Sequence, residues 1–329
     1  MSLSRAVMAS DPSRRRVVLG AGALAACARS PTEGWPTLRI GYQKNGVLLL
    51  ANSRGLLPGR LAPAGVRRVE WAEFGSGPPM LEAMRAGAID FGAVGDTPPI
   101  FAQAAGSPIV YAAAEPLTGE GQGLVVPAAS RARSVRDLKG RRIAFTKASS
   151  AHLFVVRALA SAGLGLDDIV AVHLSPADAS AAFASAAVDA WAIWDPFFAI
   201  AQQTQNARLI ADGRGLALSN TFYVATRRLA DGAPQVLGAL LDALAQEAAW
   251  GNSHLSDCGA LVQAASGLPQ AIALISLRRG LLAVVPMSDA VIAAQLANAD
   301  TLLRLRAIPG AIDIRGSSWT RWTPSATSH

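Results

Sequence analysis

The sequence predicts an α/β protein of two lobes with a ligand cleft between them, and three observations support that fold class. Strand-like and helix-like patterns alternate along most of the 329 residues, which is typical of layered α/β proteins with largely parallel strands. Two breaks, at 116–123 and 213–215, interrupt the alternation. A nine-residue segment of the first half also recurs in the second half.

The first lobe is predicted to begin with residues 35–118. Its strands share runs of apolar and β-branched residues and are expected at 38–42, 69–74, 89–94 and 109–113. Its helices follow Gly or Pro and are expected at 46–54, at 78–86 and from Pro98 onward. We interpret 116–123 as the first crossing between the lobes.

The second lobe is predicted over 119–215, and the chain then returns to the first lobe over 216–329. Strands of the second lobe are expected at 124–126, 142–145, 169–174 and 190–193, with helices from Ser150 and from Pro176. After the break at 213–215, the pattern gives one strand and then only helices, at 222–225 and at 236–250, 255–265, 269–278 and 288–306. Two crossings around one central block place a cleft between the lobes.

The internal repeat aligns residues 88–96 with residues 187–195, and four of the nine positions are identical. Each copy ends a predicted strand in an aspartate, Asp96 or Asp195. Because open α/β sheets bind ligands beyond the carboxyl ends of their strands, both aspartates are predicted at the ligand site. They are expected to fix loops or cap helices there, since a carboxylate would repel an anionic ligand.

Trp194 is predicted to contact the tail of the ligand. In the repeat it aligns with Gly95, and a large flat side chain opposite a glycine would form a slot for an alkyl or aryl group. Packing in the core is the alternative for Trp194. The core is also the expected position of Trp191, three residues earlier in the same strand.

Residues 1–28 are predicted to be an export signal. Arg14, Arg15 and Arg16 precede an apolar run at 17–26 that is too short to span a bilayer. The arginines and the residues that follow them fit a twin-arginine signal, which is read on proteins exported already folded. Two interpretations of cleavage stay open. Either Cys27 belongs to a lipoprotein box and carries a lipid tether, or ordinary cleavage occurs at the small residues 26–28.

Composition excludes several classes of function. The formal net charge is +7, and the predicted signal holds four Arg and one Asp, so +3 of that charge belongs to the signal. No basic run with interleaved aromatic residues occurs, so nucleic acid is not an expected partner. Once Cys27 is lost or lipidated, Cys258 has no disulfide partner, and the fold depends on its own core.

The sequence contains no recognisable catalytic or metal-binding arrangement. No H-E-x-x-H, C-x-x-C or G-x-S-x-G motif occurs, and the four histidines are His152, His173, His254 and His329. A nucleophile pair of His152 with Ser149 or Asp178 is conceivable, but nothing else of such a constellation is present. We therefore predict a protein that is not an enzyme and has no cofactor and no metal.

Helix starts that directly follow strands predict a binding site for a small anion. Capping residues or prolines mark such starts at 45–46, 75–79, 96–99, 149–152 and 175–178. A helix N-terminus offers free N–H groups and a partial positive charge, so several of them at one cleft would bind an anion without Lys or Arg. This argument makes Gly46, Thr97, Ser149 and Ser150 candidates for the ligand site.

These residues resemble the periplasmic aliphatic-sulfonate-binding proteins of ABC importers. Matching segments occur in the family's order across about residues 37–315, at 38–44, 80–83, 95–106, 137–140, 147–152, 176–183 and 188–196. The most specific are Gly-Asp-Thr-Pro-Pro at 95–99 and Trp-Ala-Ile-Trp-Asp-Pro at 191–196.

The resemblance implies a type II periplasmic-binding fold whose lobes close over the ligand. It implies a periplasmic protein that passes an alkanesulfonate to an ABC permease in the inner membrane, and we expect a monomer. At the ligand site it places Gln43, Thr97, Ser149, Ser150, His152 and Trp194. The chain departs from the family at Val47 and Leu153, where polar residues are expected, and this predicts a more apolar entrance to the site.

Other ligands and other classes of protein stay open. Taurine, an aryl sulfonate, a sulfate ester or nitrate would suit the same kind of site. An enzyme on this fold would need a reactive His or Cys set that the sequence does not present. A sensory domain would need a fused DNA-binding or membrane segment, and export argues against it.

Overall fold

The computed structural model describes residues 35–216 and 219–324. Within them the chain forms two five-stranded sheets with helices packed against them. The predicted export signal and Cys27 lie outside the described residues. In the described part, no helix combines the length and the apolar character needed to cross a membrane.

Ten strands form the sheets of the described chain. They are β1 (Thr37–Tyr42), β2 (Arg68–Glu73), β3 (Phe91–Gly95), β4 (Ile109–Leu117), β5 (Gln122–Pro127), β6 (Arg142–Phe145), β7 (Val170–His173), β8 (Ala190–Trp194), β9 (Ala207–Asp212) and β10 (Ser219–Thr226). The α-helices of the same residues are α1 (Gly46–Arg54), α2 (Leu57–Leu61), α3 (Gly77–Arg85), α4 (Thr97–Ala104), α5 (Ser150–Ser161), α6 (Pro176–Ala184), α7 (Phe197–Thr204), α8 (Arg227–Gly232), α9 (Pro234–Ser253), α10 (Leu255–Ser266), α11 (Gln270–Arg278) and α12 (Asp289–Arg304).

The two sheets have the same strand order. The first is β2-β1-β3-β10-β4 and the second is β7-β6-β8-β5-β9. In each sheet one strand, β10 or β5, runs antiparallel to both neighbours, and the other four strands are parallel to one another. The strands that carry the sequence repeat, β3 and β8, occupy equivalent positions beside the reversed strand. The predicted α/β fold of two lobes with largely parallel strands is confirmed.

The two crossings between the sheets contact each other at a pair of glycines. The first crossing joins β4 to β5, and the second leads from β9 toward β10. The Gly213 N–H donates to the Gly119 carbonyl oxygen at 3.0 Å. Gly119 has a φ of +86°, and a Cβ at this position would lie 2.5 Å from the Gly213 carbonyl carbon. A side chain at residue 119 would therefore force the crossings apart.

Apolar side chains form a core on the faces of each sheet. In the first lobe, Leu38 and Ile40 of β1 are fully buried in a cluster that includes Leu237 of α9. In the second lobe, Trp191 is fully buried as predicted, and its ring lies 5.9 Å from the ring of Phe183. Burial of each such side chain contributes roughly 1.5–3 kcal/mol to the stability of its lobe.

Sequence patterns miss several of the described elements, among them α2, α8 and β9. The α2 segment contains Pro58 and Gly59, which usually interrupt helices, and it lasts five residues. Every residue of β9 is half-buried, so this edge strand lacks the alternation by which strands are found. The predicted first crossing is also too long, because β4 continues through Pro116. Proline is tolerated there since β4 lies at the edge of its sheet.

Candidate ligand-binding site

A cavity of about 190 Å³ lies between the lobes, at the carboxyl ends of β3 and β8. Gly95 and Trp194, the last residues of these strands, both line it. The starts of α1, α3, α4 and α5 also contribute, together with the first crossing and the helices α10 and α11. The cavity is therefore located where the repeat predicted a cleft.

Two helix N-termini from opposite lobes reach the cavity with uncapped backbone donors. The helices α1 and α5 begin at Gly46 and Ser150, and neither Asn45 nor Ser149 caps its helix through a side chain. The Ser149 hydroxyl instead donates to the Thr146 carbonyl oxygen at 2.7 Å. Both helix starts line the cavity, so their first N–H groups and the positive ends of their dipoles are available to an anion.

Ser150 of the second lobe lies directly against β3 of the first lobe. A Cβ built on Gly95 would lie 2.9 Å from the Ser150 Cβ and 3.1 Å from its Oγ. The glycine that aligns with Trp194 in the repeat thus makes room for Ser150. This differs from its predicted role as the open side of a slot for the ligand tail.

Gln43 and Trp194 also line the cavity, from opposite lobes. Gln43 follows β1 directly, and its Nε2 donates to the Ala93 carbonyl oxygen at 3.1 Å, which fixes the amide against β3. Trp194 ends β8 and is half-buried. Their positions are compatible with ligand contact, which stays a prediction for both.

The start of α4 offers fewer donors than its sequence suggests. Thr97 is followed by Pro98 and Pro99, which lack an N–H. Pro98 lines the cavity, whereas Asp96 and Thr97 are buried and do not line it. The Thr97 hydroxyl donates to the Asp96 carboxylate at 2.9 Å, and the Asp96 carbonyl oxygen accepts from Gln295 of α12 at 2.6 Å. Both residues thus fix the loop before α4, and their contact with a ligand stays a prediction.

His152 lies in an aromatic cluster beside the cavity and does not line it. Its ring stacks on Phe145 at 5.3 Å and on Phe101 of the first lobe at 6.1 Å. Burial is the main cause that lowers the pKa of His152 to about 4, with smaller contributions from His173 and Lys147. The ring is therefore neutral near pH 7 and packs between the lobes, and its contact with a ligand stays a prediction.

Asp195 connects the two lobes across the cavity. Its carbonyl oxygen accepts from Asn45 at 3.0 Å, and its carboxylate accepts from Nη1 of Arg279 at 2.9 and 3.2 Å. Its Oδ1 also accepts from the Ala199 N–H at 3.0 Å, which caps α7 as predicted for this aspartate. Burial raises the pKa of Asp195, while the positive charge of Arg279 acts in the opposite direction.

The predicted apolar entrance is wrong for one of its two residues. Leu153 is 1% exposed and does not line the cavity. It belongs to an apolar cluster with Met80 and Phe222 of the first lobe, so it serves the contact between lobes. Val47 does line the cavity and is buried.

Much of the cavity wall comes from the C-terminal helices, which sequence reasoning did not place at the site. The helices α10 and α11 contribute apolar side chains, namely Cys258, Val262, Ala273 and Leu277. Glu115 and Arg279 also line the cavity and were not predicted. A lone carboxyl at the end of the apolar run 109–114 could have marked Glu115, whereas only tertiary packing brings Arg279 to Asp195.

The fold and the cavity together define a two-lobed α/β ligand-binding protein, with a site enclosed by both lobes. The chain belongs to the NMT1/THI5-like family, whose model matches residues 69–254.

Three relatives refine this assignment. The chain is 38% identical over 304 residues to the putative aliphatic sulfonates-binding protein of Escherichia coli (strain K12), covering 92% of this chain and 93% of that protein. Among solved structures, the alkanesulfonate-binding protein SsuA from Xanthomonas axonopodis pv. citri bound to MOPS is 40% identical. Its TM-score is 0.83, over 86% of this chain and 98% of that one. The periplasmic aliphatic sulphonate binding protein SsuA from Escherichia coli is 38% identical with a TM-score of 0.79, over 89% of this chain and 95% of that one. The resemblance stated from the sequence is confirmed.

Proposed function

We propose that this protein captures a small organic sulfonate between its lobes and delivers it to an ABC importer. The observation that carries the proposal is the pair of uncapped helix starts, at Gly46 and Ser150, that reach one cavity from opposite lobes. A sulfonate is a fixed anion with three acceptor oxygens, so it can accept hydrogen bonds from both starts at once. The relatives at 38–40% identity are named as binding proteins, which supports transport over an enzymatic function.

The affinity of the proposed site for an anion can be estimated. Each helix start contributes about 0.3–2 kcal/mol to an anion, and each charge-assisted hydrogen bond contributes roughly 1.5–3 kcal/mol. Four to six such contacts, less the cost of immobilising the ligand, give about −8 kcal/mol, which corresponds to micromolar affinity. That affinity suits a protein that scavenges a scarce nutrient and releases it to a permease.

The location and partners follow from the same proposal. The mature protein acts in the periplasm as a monomer, after export by the signal predicted at 1–28, and its partner is a permease of the inner membrane. A lipid on Cys27 is the alternative to ordinary cleavage. Taurine, an aryl sulfonate or nitrate are alternative ligands, because each could use the same helix starts.

Titration calorimetry with a ligand panel tests the proposed function. The panel is ethanesulfonate, butanesulfonate, octanesulfonate, taurine, benzenesulfonate, nitrate and sulfate, and at least one sulfonate is expected to bind with micromolar affinity. Ser150→Ala is expected to weaken that binding about tenfold. Ser161→Ala, at the other end of α5, is the matched control and should leave it unchanged. A folded protein that binds nothing in the panel would contradict the proposal, and conversion of a ligand would indicate an enzyme.

A further inference from the structure

Glu115 places a buried carboxyl group in the wall of a cavity that is proposed to bind an anion. It lies near the end of β4, it is 8% exposed, and it lines the cavity. Its Oε2 lies 3.1 Å from the hydroxyl of Tyr223, which is fully buried in β10. Among the described residues no cation forms an ion pair with Glu115. A buried carboxylate without a counter-charge is costly, so this position requires an explanation.

Burial favours a protonated Glu115 in the absence of ligand, and the hydrogen bonds around Tyr223 can accommodate that proton. The Tyr223 hydroxyl also lies 3.1 Å from the Ala283 carbonyl oxygen. A hydroxyl has one proton, and a carbonyl oxygen can only accept, so when Tyr223 donates to Ala283 the remaining contact needs a proton from Glu115. Burial raises the pKa of Glu115 to about 7, with a smaller opposite effect from the Tyr223 hydrogen bond. The carboxyl can therefore lose or hold its proton near neutral pH.

The distance between Glu115 and the start of α5 is close to the length of a short ligand whose sulfonate binds at that helix start. In the first sheet Thr221 of β10 pairs with Gly95 on one side and with Glu115 on the other. Paired residues of antiparallel strands have Cα atoms about 5 Å apart, so the Cα of Glu115 is about 10 Å from that of Gly95. Ser150 packs directly on Gly95. The distance between a sulfonate at the start of α5 and Glu115 thus corresponds to a tail of a few atoms.

The other charged groups of the cavity are already paired. The Arg279 guanidinium binds Asp195 at 2.9 Å, and Lys44 lies 3.5 Å from Glu73. The remaining titratable group of the wall is the Cys258 thiol, whose pKa burial raises, so it is neutral. A cation on the ligand itself is the simplest counter-charge for Glu115.

We propose that Glu115 is a specificity-determining residue that accepts a hydrogen bond from an ammonium group on the ligand tail, so that the cavity selects zwitterionic aminoalkanesulfonates over plain alkanesulfonates. The inference rests on the proposed function, because it assumes that the sulfonate binds at the helix starts. The ammonium gives the buried carboxylate its missing counter-charge. With a plain alkyl tail the carboxyl must keep its proton beside the bound anion, which costs binding free energy once the pH exceeds the pKa of Glu115.

Calorimetry with two ligands of equal length tests the inference. Propanesulfonate and 3-aminopropanesulfonate are titrated at pH 6 and pH 8 into the wild type, Glu115→Gln and Glu120→Gln. At pH 8 the wild type is expected to bind the amino ligand at least about tenfold more tightly, because a charge-assisted hydrogen bond is of this size. The preference should be smaller at pH 6, where Glu115 keeps its proton. Glu115→Gln should lose the preference, and Glu120→Gln, an exposed glutamate of the first crossing, should keep it.

The outcomes separate the inference from the proposed function. Equal affinity of the wild type for both ligands, or a preference that survives in Glu115→Gln, would overturn the inference and leave sulfonate binding intact. No binding of either ligand, or of any sulfonate in the wider panel, would overturn both. If Glu115→Gln does not fold, the wild-type protein still tests the inference through the change in its preference between pH 6 and pH 8. A Glu115 with a structural role only would change the affinities for both ligands alike, so a preference that does not change with pH would overturn the inference.

Discussion

Gly95 shows how one missing side chain allows the two lobes to meet. Ser150 lies so close that a methyl group at residue 95 would approach its Cβ to 2.9 Å. The contact involves the start of α5, which supplies half of the proposed anion site. A small change at this residue is therefore expected to affect the contact between the lobes more than the fold of either lobe.

Gly95→Ala is expected to weaken ligand binding about tenfold, because the lobes can no longer close by the last few tenths of an ångström. The free energy of unfolding should change little, since the strand conformation of residue 95 suits alanine. Gly165→Ala is the matched control, as no atom lies within 4 Å of the position its Cβ would take. Calorimetry and urea unfolding measure the two quantities. Unchanged affinity in Gly95→Ala would show that the Ser150 contact is not needed for binding.

The lowered pKa of His152 is expected to make the free energy of unfolding decrease in acid. Its folded pKa of about 4 lies below the ordinary value of 6.5, so the unfolded chain binds more protons between these values. The stability contributed by the neutral ring is complete above pH 6.5 and is lost as the pH falls toward 4. The loss is on the order of 3 kcal/mol, at about 1.4 kcal/mol per pKa unit.

Urea unfolding of the wild type and of His152→Asn at pH 7 and pH 4.5 measures this contribution. The wild type is expected to lose more stability than the variant between the two values, because asparagine does not titrate. Equal losses would show that His152 is not held neutral by the fold. Carboxylates that titrate in the same range affect both proteins alike and cancel in the comparison.

At the scale of elements, several helix starts were predicted correctly from Gly, Pro and capping residues, whereas the end of β4 was not, because the strand continues through Pro116. The predicted bounds of α1 are those observed, and the starts of α5 and α6 are also found where predicted. The residues that mark a helix start do not always leave it able to bind an anion. Pro98 and Pro99 lie in the first turn of α4, but they remove two of the N–H donors that made this start a candidate anion site. The capping serine of α5 likewise bonds the Thr146 carbonyl rather than its own helix.

The segment after α11 contributes a contact that no local pattern indicates. Arg279 binds Asp195 across the cavity, and both side chains are at most 19% exposed. Removal of one member of a buried ion pair leaves the other charge uncompensated, which costs more than the loss of an exposed pair. The pair is therefore expected to stabilise the closed arrangement of the lobes.

Arg279→Met is expected to raise the ligand Kd at least tenfold, and Arg279→Lys should not fully restore it, because lysine has no second nitrogen to bond Gln202 while the first bonds Asp195. Arg214→Met is the matched control, since Arg214 pairs with Asp212 at the surface and is 62% exposed. Addition of Asp195→Asn to Arg279→Met should recover part of the loss. Strictly additive effects in this double-mutant cycle would show that the ion pair of Arg279 and Asp195 does not contribute to ligand binding.

At the scale of the whole molecule, the sequence repeat carried the most information. Residues 88–96 and 187–195 proved to contain equivalent strands in two sheets of identical order, which supports the cleft that the two crossings predicted. The helical pattern of the C-terminal third was equally clear. Its contribution to the cavity was not predictable, because the residues of α10 and α11 that line it have the same apolar character as core residues.

The residues that line the cavity differ in whether the sequence alone could predict them. Backbone donors at helix starts can be read from capping residues, and they gave Gly46, Ser149 and Ser150. Glu115 and Arg279 reach the cavity through packing between segments that are distant in the chain, and they are proposed to contact the tail of the ligand and to hold the lobes together. The anion end of the site was thus predictable, and its selectivity was not.

A crystal structure of the protein with propanesulfonate tests the central claim most directly. The account predicts the sulfonate between the lobes, with its oxygens within about 3 Å of backbone N–H groups at the starts of both α1 and α5 and its tail toward the wall formed by α10 and α11. A sulfonate bound outside this cavity, or in contact with one lobe only, would contradict it.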